Sequence, residues 1–124
     1  MSYRILVLDD FNVSNEIITA FLRDKGYLTF SCQSASDALD VIKNNNIDFI
    51  VTDYLMPGMN GLEFIVELRK LPDYEDTPVI ILSSTRKNNV MEDAKKYKIV
   101  SWLNKPVELS QLEDVIKLYL PIEK

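Results

Sequence analysis

Short apolar runs alternate along the chain with longer stretches in which apolar residues recur at helical spacing. The runs predict five strands, over residues 4–8, 28–32, 48–52, 79–82 and 100–103. The first, third and fourth runs are almost continuously apolar, which is typical of parallel strands that are covered on both faces. Because helical stretches separate the strands, the pattern predicts βα units that build a mostly parallel sheet.

The helical stretches predict five helices, of which the fourth, over about residues 89–97, is the weakest. Asn12 is suited to cap the first helix and Gly26 to end it, while either Ser34 or Ser36 begins the second and Pro121 ends the last. The residues expected on the buried faces of the other four helices are Val13, Ile17, Phe21 and Leu22, then Ala35, Ala38, Leu39 and Ile42, then Leu62, Ile65 and Leu68, and finally Leu112, Val115, Ile116 and Tyr119.

The length and composition favour one globular domain. The chain has 124 residues, of which 47% are hydrophobic, so it is long enough to bury a core. No apolar run approaches the roughly 18 residues that a membrane span needs, and we expect a cytoplasmic protein that does not contact membranes. The single cysteine, Cys32, is expected to be a small buried residue of the second strand.

Charge and the lack of histidine exclude several functions. With 14 basic and 19 acidic residues the net charge is −5, which disfavours direct binding of nucleic acid. The chain contains no histidine, so it has no Ser-His-Asp triad, no Cys-His pair and no histidine-ligated zinc site. For the same reason it is not itself a phosphohistidine donor.

Polar side chains follow four of the predicted strands. Asp9 and Asp10 follow the first, Asp53 the third, Ser83 the fourth and Lys105 the fifth. Right-handed crossovers bring the carboxyl ends of parallel strands to one edge of the sheet, where ligands bind in open α/β folds. Clustered carboxylates repel one another, and Mg²⁺ with phosphate oxygens relieves that repulsion. A carboxylate is also able to act as a nucleophile toward phosphorus, with a hydroxyl and an ammonium group stabilising the developing charge.

Each of these residues also has an ordinary structural interpretation. The paired aspartates are compatible with a polar strand end and a helix cap, Asp53 with a turn, and Lys105 with an exposed lysine. A shift of one residue in the fourth strand would transfer the role of Ser83 to Ser84.

Four segments together carry a resemblance to a known family. They are Leu-Asp-Asp-Phe at residues 8–11, Asp-Tyr-Leu-Met-Pro-Gly-Met-Asn-Gly at residues 53–61, Ser83 after a four-residue apolar strand, and Lys105-Pro106. With these segments the chain resembles the receiver domains of two-component response regulators, the CheY-like family. The resemblance implies a (βα)5 flavodoxin-like, doubly wound α/β fold with a five-stranded parallel sheet of order 2-1-3-4-5. It covers residues 1–124 as a single receiver domain, and we expect no output domain.

The resemblance also implies a phosphoacceptor and a metal site. Asp53 would be the phosphoacceptor. Asp10 would bind Mg²⁺ directly and Asp9 through water. Asp53 and the backbone carbonyl of Leu55 would complete the protein ligands.

Three further residues take roles from the resemblance. The hydroxyl of Ser83 would turn toward the phosphoryl group, and Lys105 would pair with one of its oxygens. The bond between Lys105 and Pro106 would be cis. Trp102 stands at an aromatic switch position that moves inward on activation, and it is equally compatible with an ordinary core role.

The implied function is a phosphorylatable switch. Its donor would be a phosphohistidine on a histidine kinase or a histidine phosphotransfer protein, and its output would pass through the face formed by helix 4, strand 5 and helix 5. Such a domain catalyses its own phosphotransfer and dephosphorylation and is not an enzyme for external substrates. Two departures bear on the output face: Trp102 replaces the usual Tyr or Phe, and Lys98 and Ile99 replace a Gly-Ala pair.

Two other function classes stay open at this point. A Mg²⁺-dependent phosphohydrolase that acts through an aspartyl-phosphate is the main alternative. The haloacid dehalogenase type of such an enzyme needs a second aspartate two residues after its nucleophile, whereas Asn12 stands two residues after Asp10. A flavodoxin-like cofactor binder needs a phosphate-binding loop rich in hydroxyls and glycine after the first strand, which the chain lacks.

Overall fold

The computed structural model describes residues 2–84 and 90–120. Its strands are β1 (Arg4–Leu8), β2 (Leu28–Cys32), β3 (Phe49–Asp53), β4 (Val79–Ser83) and β5 (Ile99–Asn104). Its helices are α1 (Asn12–Asp24), α2 (Ala35–Asn44), α3 (Gly61–Arg69), α4 (Val90–Tyr97) and α5 (Leu109–Tyr119), with a 3-10 turn at Pro72–Tyr74. Residue 89, the predicted start of the fourth helix, and Pro121, the predicted stop of the last, lie outside the described residues. Within those residues no helix is both long and apolar enough to cross a membrane.

The five strands form one parallel sheet in the order β2-β1-β3-β4-β5, which confirms the predicted fold. Successive residues of the central strands point to opposite faces of the sheet. In β3, Ile50 joins a core with α2 and α3, while Phe49 and Val51 join a second core with α1 and α5. All five residues of β3 and all five of β4 are buried, because helices cover both faces there.

The buried face of α1 differs from the predicted one. Val13 and Ile17 are 57% and 52% exposed, although Leu22 is buried as predicted. Asn15, Ile18 and Thr19 are buried instead, and the polar groups of Asn15 and Thr19 find hydrogen-bond partners within the fold. The hydroxyl of Thr19 donates to the carbonyl of Asn15 at 2.9 Å, which removes the penalty for burying it.

The faces of α2, α3 and α5 mostly match the prediction. The confirmed buried residues are Ala35, Ala38, Ile42, Ile65, Leu68, Leu112 and Ile116. Leu39, Leu62 and Val115 are half-buried, and Tyr119 is 46% exposed although its ring approaches that of Phe49. Phe64, which the spacing did not select, is fully buried.

The helix ends confirm two predicted caps and correct a third. Phe11, rather than Asn12, occupies the N-cap position of α1, and the Asn12 side chain accepts a hydrogen bond from Gln33 at 2.7 Å. Ser34 caps α2, since its side chain accepts a backbone N–H of the first turn at 3.1 Å. Gly26 follows α1 with a φ of +101°, a conformation that favours glycine.

The junction between α4 and β5 contains Lys98 and Ile99, which replace the Gly-Ala pair usual in the family. Lys98 adopts a left-handed φ of +58°, and its ammonium group pairs with the carboxylate of Asp76. The Arg69 guanidinium of α3 donates to the carbonyls of Tyr74, Tyr97 and Lys98 at 2.8, 2.9 and 3.2 Å. The bonds to Tyr97 and Lys98 fix the end of α4 against α3 despite the unfavourable backbone conformation of Lys98.

Replacing Lys98 by glycine should stabilise the protein. We expect Lys98→Gly to raise the free energy of unfolding by about 0.5–1 kcal/mol, because glycine relieves the left-handed strain. The lost pair with Asp76 is exposed and contributes little. Urea unfolding followed by Trp102 fluorescence measures the change. Lys98→Ala, which loses the same pair and keeps the strain, is the matched control, and an equal gain in both variants would contradict the explanation.

Candidate functional site

The register of the sheet sets which residues meet at the carboxyl edge. Leu8 pairs with Thr52 across β1 and β3, so the residues that follow them are neighbours. Asp53, the last residue of β3, pairs with Leu82 of β4. The polar residues predicted at the ends of β1, β3 and β4 therefore share one edge, as expected for a parallel sheet.

Asp9, Asp10 and Asp53 form a carboxylate cluster at this edge. One oxygen from each residue lies within 4.8 Å of the others. Asp9 and Asp53 are 1% and 6% exposed, whereas Asp10 is exposed to solvent. The structure thus brings together the three carboxylates predicted to bind a metal ion. A set of oxygen donors that is open on one side suits Mg²⁺, which prefers a few carboxylates and keeps several waters.

Lys105 reaches the cluster from the end of β5. Its Nζ lies 3.0 Å from Asp53 Oδ2 and 3.6 Å from Asp9 Oδ2. Its backbone N–H donates to the carbonyl of Ser83 at 2.9 Å, and its peptide bond to Pro106 is cis, as the resemblance implied. The Lys105 ammonium group therefore faces two buried carboxylates, and its backbone is tied to the end of β4.

The pKa of Asp53 shows how burial affects its carboxylate. Burial raises the pKa of Asp53 from 3.8 to about 6. The hydrogen bond and charge of Lys105 act in the opposite direction, while the charges of Asp9 and Asp10 add to the rise. The ionised Asp53 carboxylate is thus unfavourable in this position, and a further cation beside it would stabilise it.

The loop from β3 to α3 fixes the backbone of Asp53. A Cβ atom on Gly61 would lie 2.3 Å from the Asp53 carbonyl oxygen, so only glycine fits here. The Gly61 N–H donates to the Tyr54 carbonyl at 2.7 Å. Asn60 and Glu63 form a capping box, with backbone-to-side-chain bonds of 2.8 and 3.0 Å that begin α3 directly after the loop. The motif therefore ends in Asn-Gly because Asn60 caps α3 and Gly61 permits the close approach to Asp53.

Ser83 and Leu55 flank the cluster on neighbouring segments. Ser83 ends β4 and is 2% exposed, whereas Ser84 is exposed, which favours Ser83 as the hydroxyl that faces the site. The Leu55 side chain is 56% exposed. Its predicted role concerns the backbone carbonyl alone, and both roles stay predictions.

Sequence reasoning missed the residues that hold Asp9. The Phe11 N–H donates to Asp9 Oδ1 at 2.9 Å, and the Ser14 hydroxyl donates to Asp9 Oδ2. The buried Asn15 amide donates to the carbonyls of Asp9 and Cys32 at 3.0 and 2.8 Å. Two adjacent polar residues, five and six positions after an aspartate, were the available signal. Polar residues in a helix usually lie on its exposed face, and only the packing of α1 shows that these two turn toward Asp9.

Trp102 lies on β5 and contacts the residue that follows Asp53. Its ring centroid is 5.5 Å from that of Tyr54, and the two rings are tilted by 42°. The side chain is half-buried, and its Nε1–H has no hydrogen-bond partner in the part of the chain that the structure describes. A buried donor without a partner costs about 1–3 kcal/mol.

Comparisons with known proteins agree with this geometry. A family model described as "Response regulator receiver domain" matches residues 5–117. The chain is 25% identical over 123 residues to Sporulation initiation phosphotransferase F of Bacillus subtilis, covering 99% of this chain and 98% of that protein. It is 30% identical over 114 residues to Chemotaxis protein CheY-3 of Vibrio cholerae, covering 90% and 86%. The solved structure of CheY4 from Vibrio cholerae superposes with a TM-score of 0.89 over 96% of this chain and 99% of that one; at 24% identity, it supports the fold alone.

The raised pKa of Asp53 predicts a specific pH dependence of stability. Between about pH 4 and pH 6 the folded protein holds a proton on Asp53 that the unfolded chain releases, so stability falls as the pH rises through this window. At pH 7 without divalent cations, Asp53→Asn should therefore be more stable than the wild type by about 1–3 kcal/mol. Urea unfolding in EDTA measures the difference, which should shrink toward pH 4.

Asp40→Asn, on the exposed side of α2, provides the control for loss of one negative charge. It should keep the wild-type slope of stability against pH. If Asp53→Asn also kept the wild-type slope of stability against pH, the burial of Asp53 would not be the cause of the slope.

Proposed function

Because the chain belongs to the family of response regulator receiver domains, we propose that it is a signalling switch whose phosphoacceptor is Asp53. Its phosphoryl donor would be a phosphohistidine on a histidine kinase or a histidine phosphotransfer protein. The observation that carries this proposal is the position of Asp53, with Lys105 Nζ at 3.0 Å and the carboxylates of Asp9 and Asp10 in the same cluster.

The chemical step is the transfer of a phosphoryl group between two side chains. An oxygen of the Asp53 carboxylate attacks phosphorus and forms the new P–O bond. The P–N bond to the donor imidazole breaks, and its electron pair returns to the ring nitrogen. The Lys105 ammonium group then pairs with a phosphoryl oxygen, and the Ser83 hydroxyl donates to another. Attack of water on the acyl phosphate would return the carboxylate and release inorganic phosphate.

The metal ligands of this proposal are Asp9, Asp10 and Asp53, with the backbone carbonyl of Leu55 taken from the family resemblance. A bound Mg²⁺ would neutralise these carboxylates and the oxygens of the incoming phosphoryl group. The raised pKa of Asp53 supports this, because burial disfavours its ionised form and a bound cation would stabilise that form.

Phosphorylation of Asp53 would be transmitted to the rest of the domain through the adjacent residue, Tyr54. Tyr54 follows Asp53 directly, and its ring contacts Trp102 on β5. A shift of the β3–α3 loop on phosphorylation would therefore reach β5 through two aromatic rings. Repositioning of Trp102 would alter the face formed by α4, β5 and α5, to which we assign the output. The output partner is unassigned.

The family match does not favour the alternative of a phosphohydrolase for external esters. The position two residues after Asp10 holds Asn12, whose side chain accepts a hydrogen bond from Gln33 instead of serving as a general acid. We therefore retain the switch as the proposed function.

Labelling with a small phosphodonor tests the phosphoacceptor. Incubation with acetyl phosphate and Mg²⁺ should add one phosphoryl group, detected by intact mass, and the addition should be lost in EDTA. Asp53→Asn should show no adduct, because the amide is not a nucleophile toward phosphorus. Lys105→Ala should reduce the rate by at least about 10-fold, since it removes the ammonium that stabilises the phosphoryl oxygens.

Asp40→Asn is the matched control for these variants and should be labelled like the wild type. An adduct that persists in Asp53→Asn would refute the assignment of the phosphoacceptor.

Trp102 fluorescence tests the proposed switch. Beryllofluoride with Mg²⁺ mimics the phosphoryl group, and its binding should change the emission of Trp102 because the Tyr54 ring lies 5.5 Å away. The change should be absent in Asp53→Asn. As Trp102 is the only tryptophan of the chain, the signal reports this position alone. Unchanged emission in a protein that labels normally with acetyl phosphate would remove Trp102 from the switch.

A further inference from the structure

We propose that Ser14 is a positioning residue for the metal site, and that its hydroxyl fixes the carboxylate of Asp9. This inference rests on the proposed function, because it concerns the same cluster of carboxylates. It assigns a role to a helix residue that none of the recognised sequence segments contains.

Both oxygens of the Asp9 carboxylate have partners within the protein. Oδ1 accepts from the Phe11 N–H at 2.9 Å. Oδ2 accepts from the Ser14 hydroxyl and lies 3.6 Å from Lys105 Nζ. Because Asp9 is 1% exposed, its carboxylate depends on these protein donors for its hydrogen bonds.

Ser14 is itself held in a fixed place relative to Asp9. It lies in the first turn of α1, and its hydroxyl is also 3.2 Å from the carbonyl of Phe11. The next residue, Asn15, is 1% exposed and donates to the carbonyls of Asp9 and Cys32, which anchors this turn to the ends of β1 and β2. Consecutive residues of α1 therefore bind the side chain and the backbone of the same aspartate.

The position of Asp9 affects how closely the Lys105 ammonium group pairs with each of the two carboxylates. Lys105 Nζ is nearer to Asp53 Oδ2, at 3.0 Å, than to Asp9 Oδ2, at 3.6 Å. Without the Ser14 hydroxyl, the Asp9 carboxylate lacks one donor, while Lys105 Nζ stays 3.6 Å from its Oδ2. A movement of Asp9 toward that ammonium group would change the arrangement in which the three carboxylates meet.

Loss of the hydroxyl should therefore weaken metal binding. Partners that orient metal ligands typically change affinity by about 10- to 100-fold, and we expect the lower end for one hydroxyl on one ligand. Ser14→Ala should raise the dissociation constant for Mg²⁺ about 10-fold. Ser14→Thr, which keeps a hydroxyl at the same position, should stay close to the wild type.

A titration with MgCl₂ separates positioning from folding. The melting temperature of each variant is measured without metal and at rising Mg²⁺, and the metal-dependent increment gives the dissociation constant. A purely structural role lowers the metal-free melting temperature and leaves the dissociation constant unchanged. Ser36→Ala, an exposed serine in the first turn of α2, is the matched control and should keep the wild-type constant.

The outcomes distinguish this inference from the proposed function. A wild-type dissociation constant in Ser14→Ala, or equal weakening in Ser14→Ala and Ser14→Thr, would overturn the role of the hydroxyl and leave Asp53 as phosphoacceptor. If the wild type gave no response to Mg²⁺, the metal site and this inference would fail together. Labelling of Asp53 by acetyl phosphate would then show whether the phosphoacceptor still stands.

Discussion

The structure depends on an uneven balance of charge at one edge of its sheet. Parallel pairing of β1 with β3 brings the carboxylates of Asp9, Asp10 and Asp53 together, and Lys105 faces two of them. Burial makes the ionised form of Asp53 unfavourable in the absence of a further cation. The same buried carboxylate that opposes folding is what makes the site suitable for Mg²⁺ and a phosphoryl group. Stability and chemistry are thus opposed at one residue, which is common where a fold carries a reactive group.

The rest of the fold holds these charges in place with uncharged groups. Gly61 permits α3 to begin against the carbonyl of Asp53, where a Cβ atom would collide. On the other side, Ser14 and Asn15 bind the carboxylate and the carbonyl of Asp9. This explains why α1 buries the face that carries Asn15 and Thr19 rather than the predicted face of Val13 and Ile17. The helix is placed by its hydrogen bonds to the strand ends as well as by its apolar side chains.

The sequence predicted the strands well, and it predicted which carboxylates meet at the edge of the sheet, because the signals for both are local. A buried parallel strand is a continuous apolar run, and the motif from Asp53 to Gly61 reflects steric and capping requirements within nine residues. The predictions were wrong where a local pattern is compatible with two arrangements, as in α1. The first helix has apolar residues on two sides, and Asn12 was suited to cap it, but Phe11 takes that position and the Asn12 amide binds Gln33 instead.

The sequence by itself determined the order of elements, the parallel sheet and the chemistry available at its edge, since periodicity and residue type decide these. Tertiary structure alone decided which groups share that edge closely enough to interact. The approach of Lys105 to Asp53, the binding of Asp9 by Ser14 and the tilted contact of Tyr54 with Trp102 join residues from different elements. Their distances depend on how helices pack on the sheet. No pattern within a single element specifies that packing, because it results from the whole core at once.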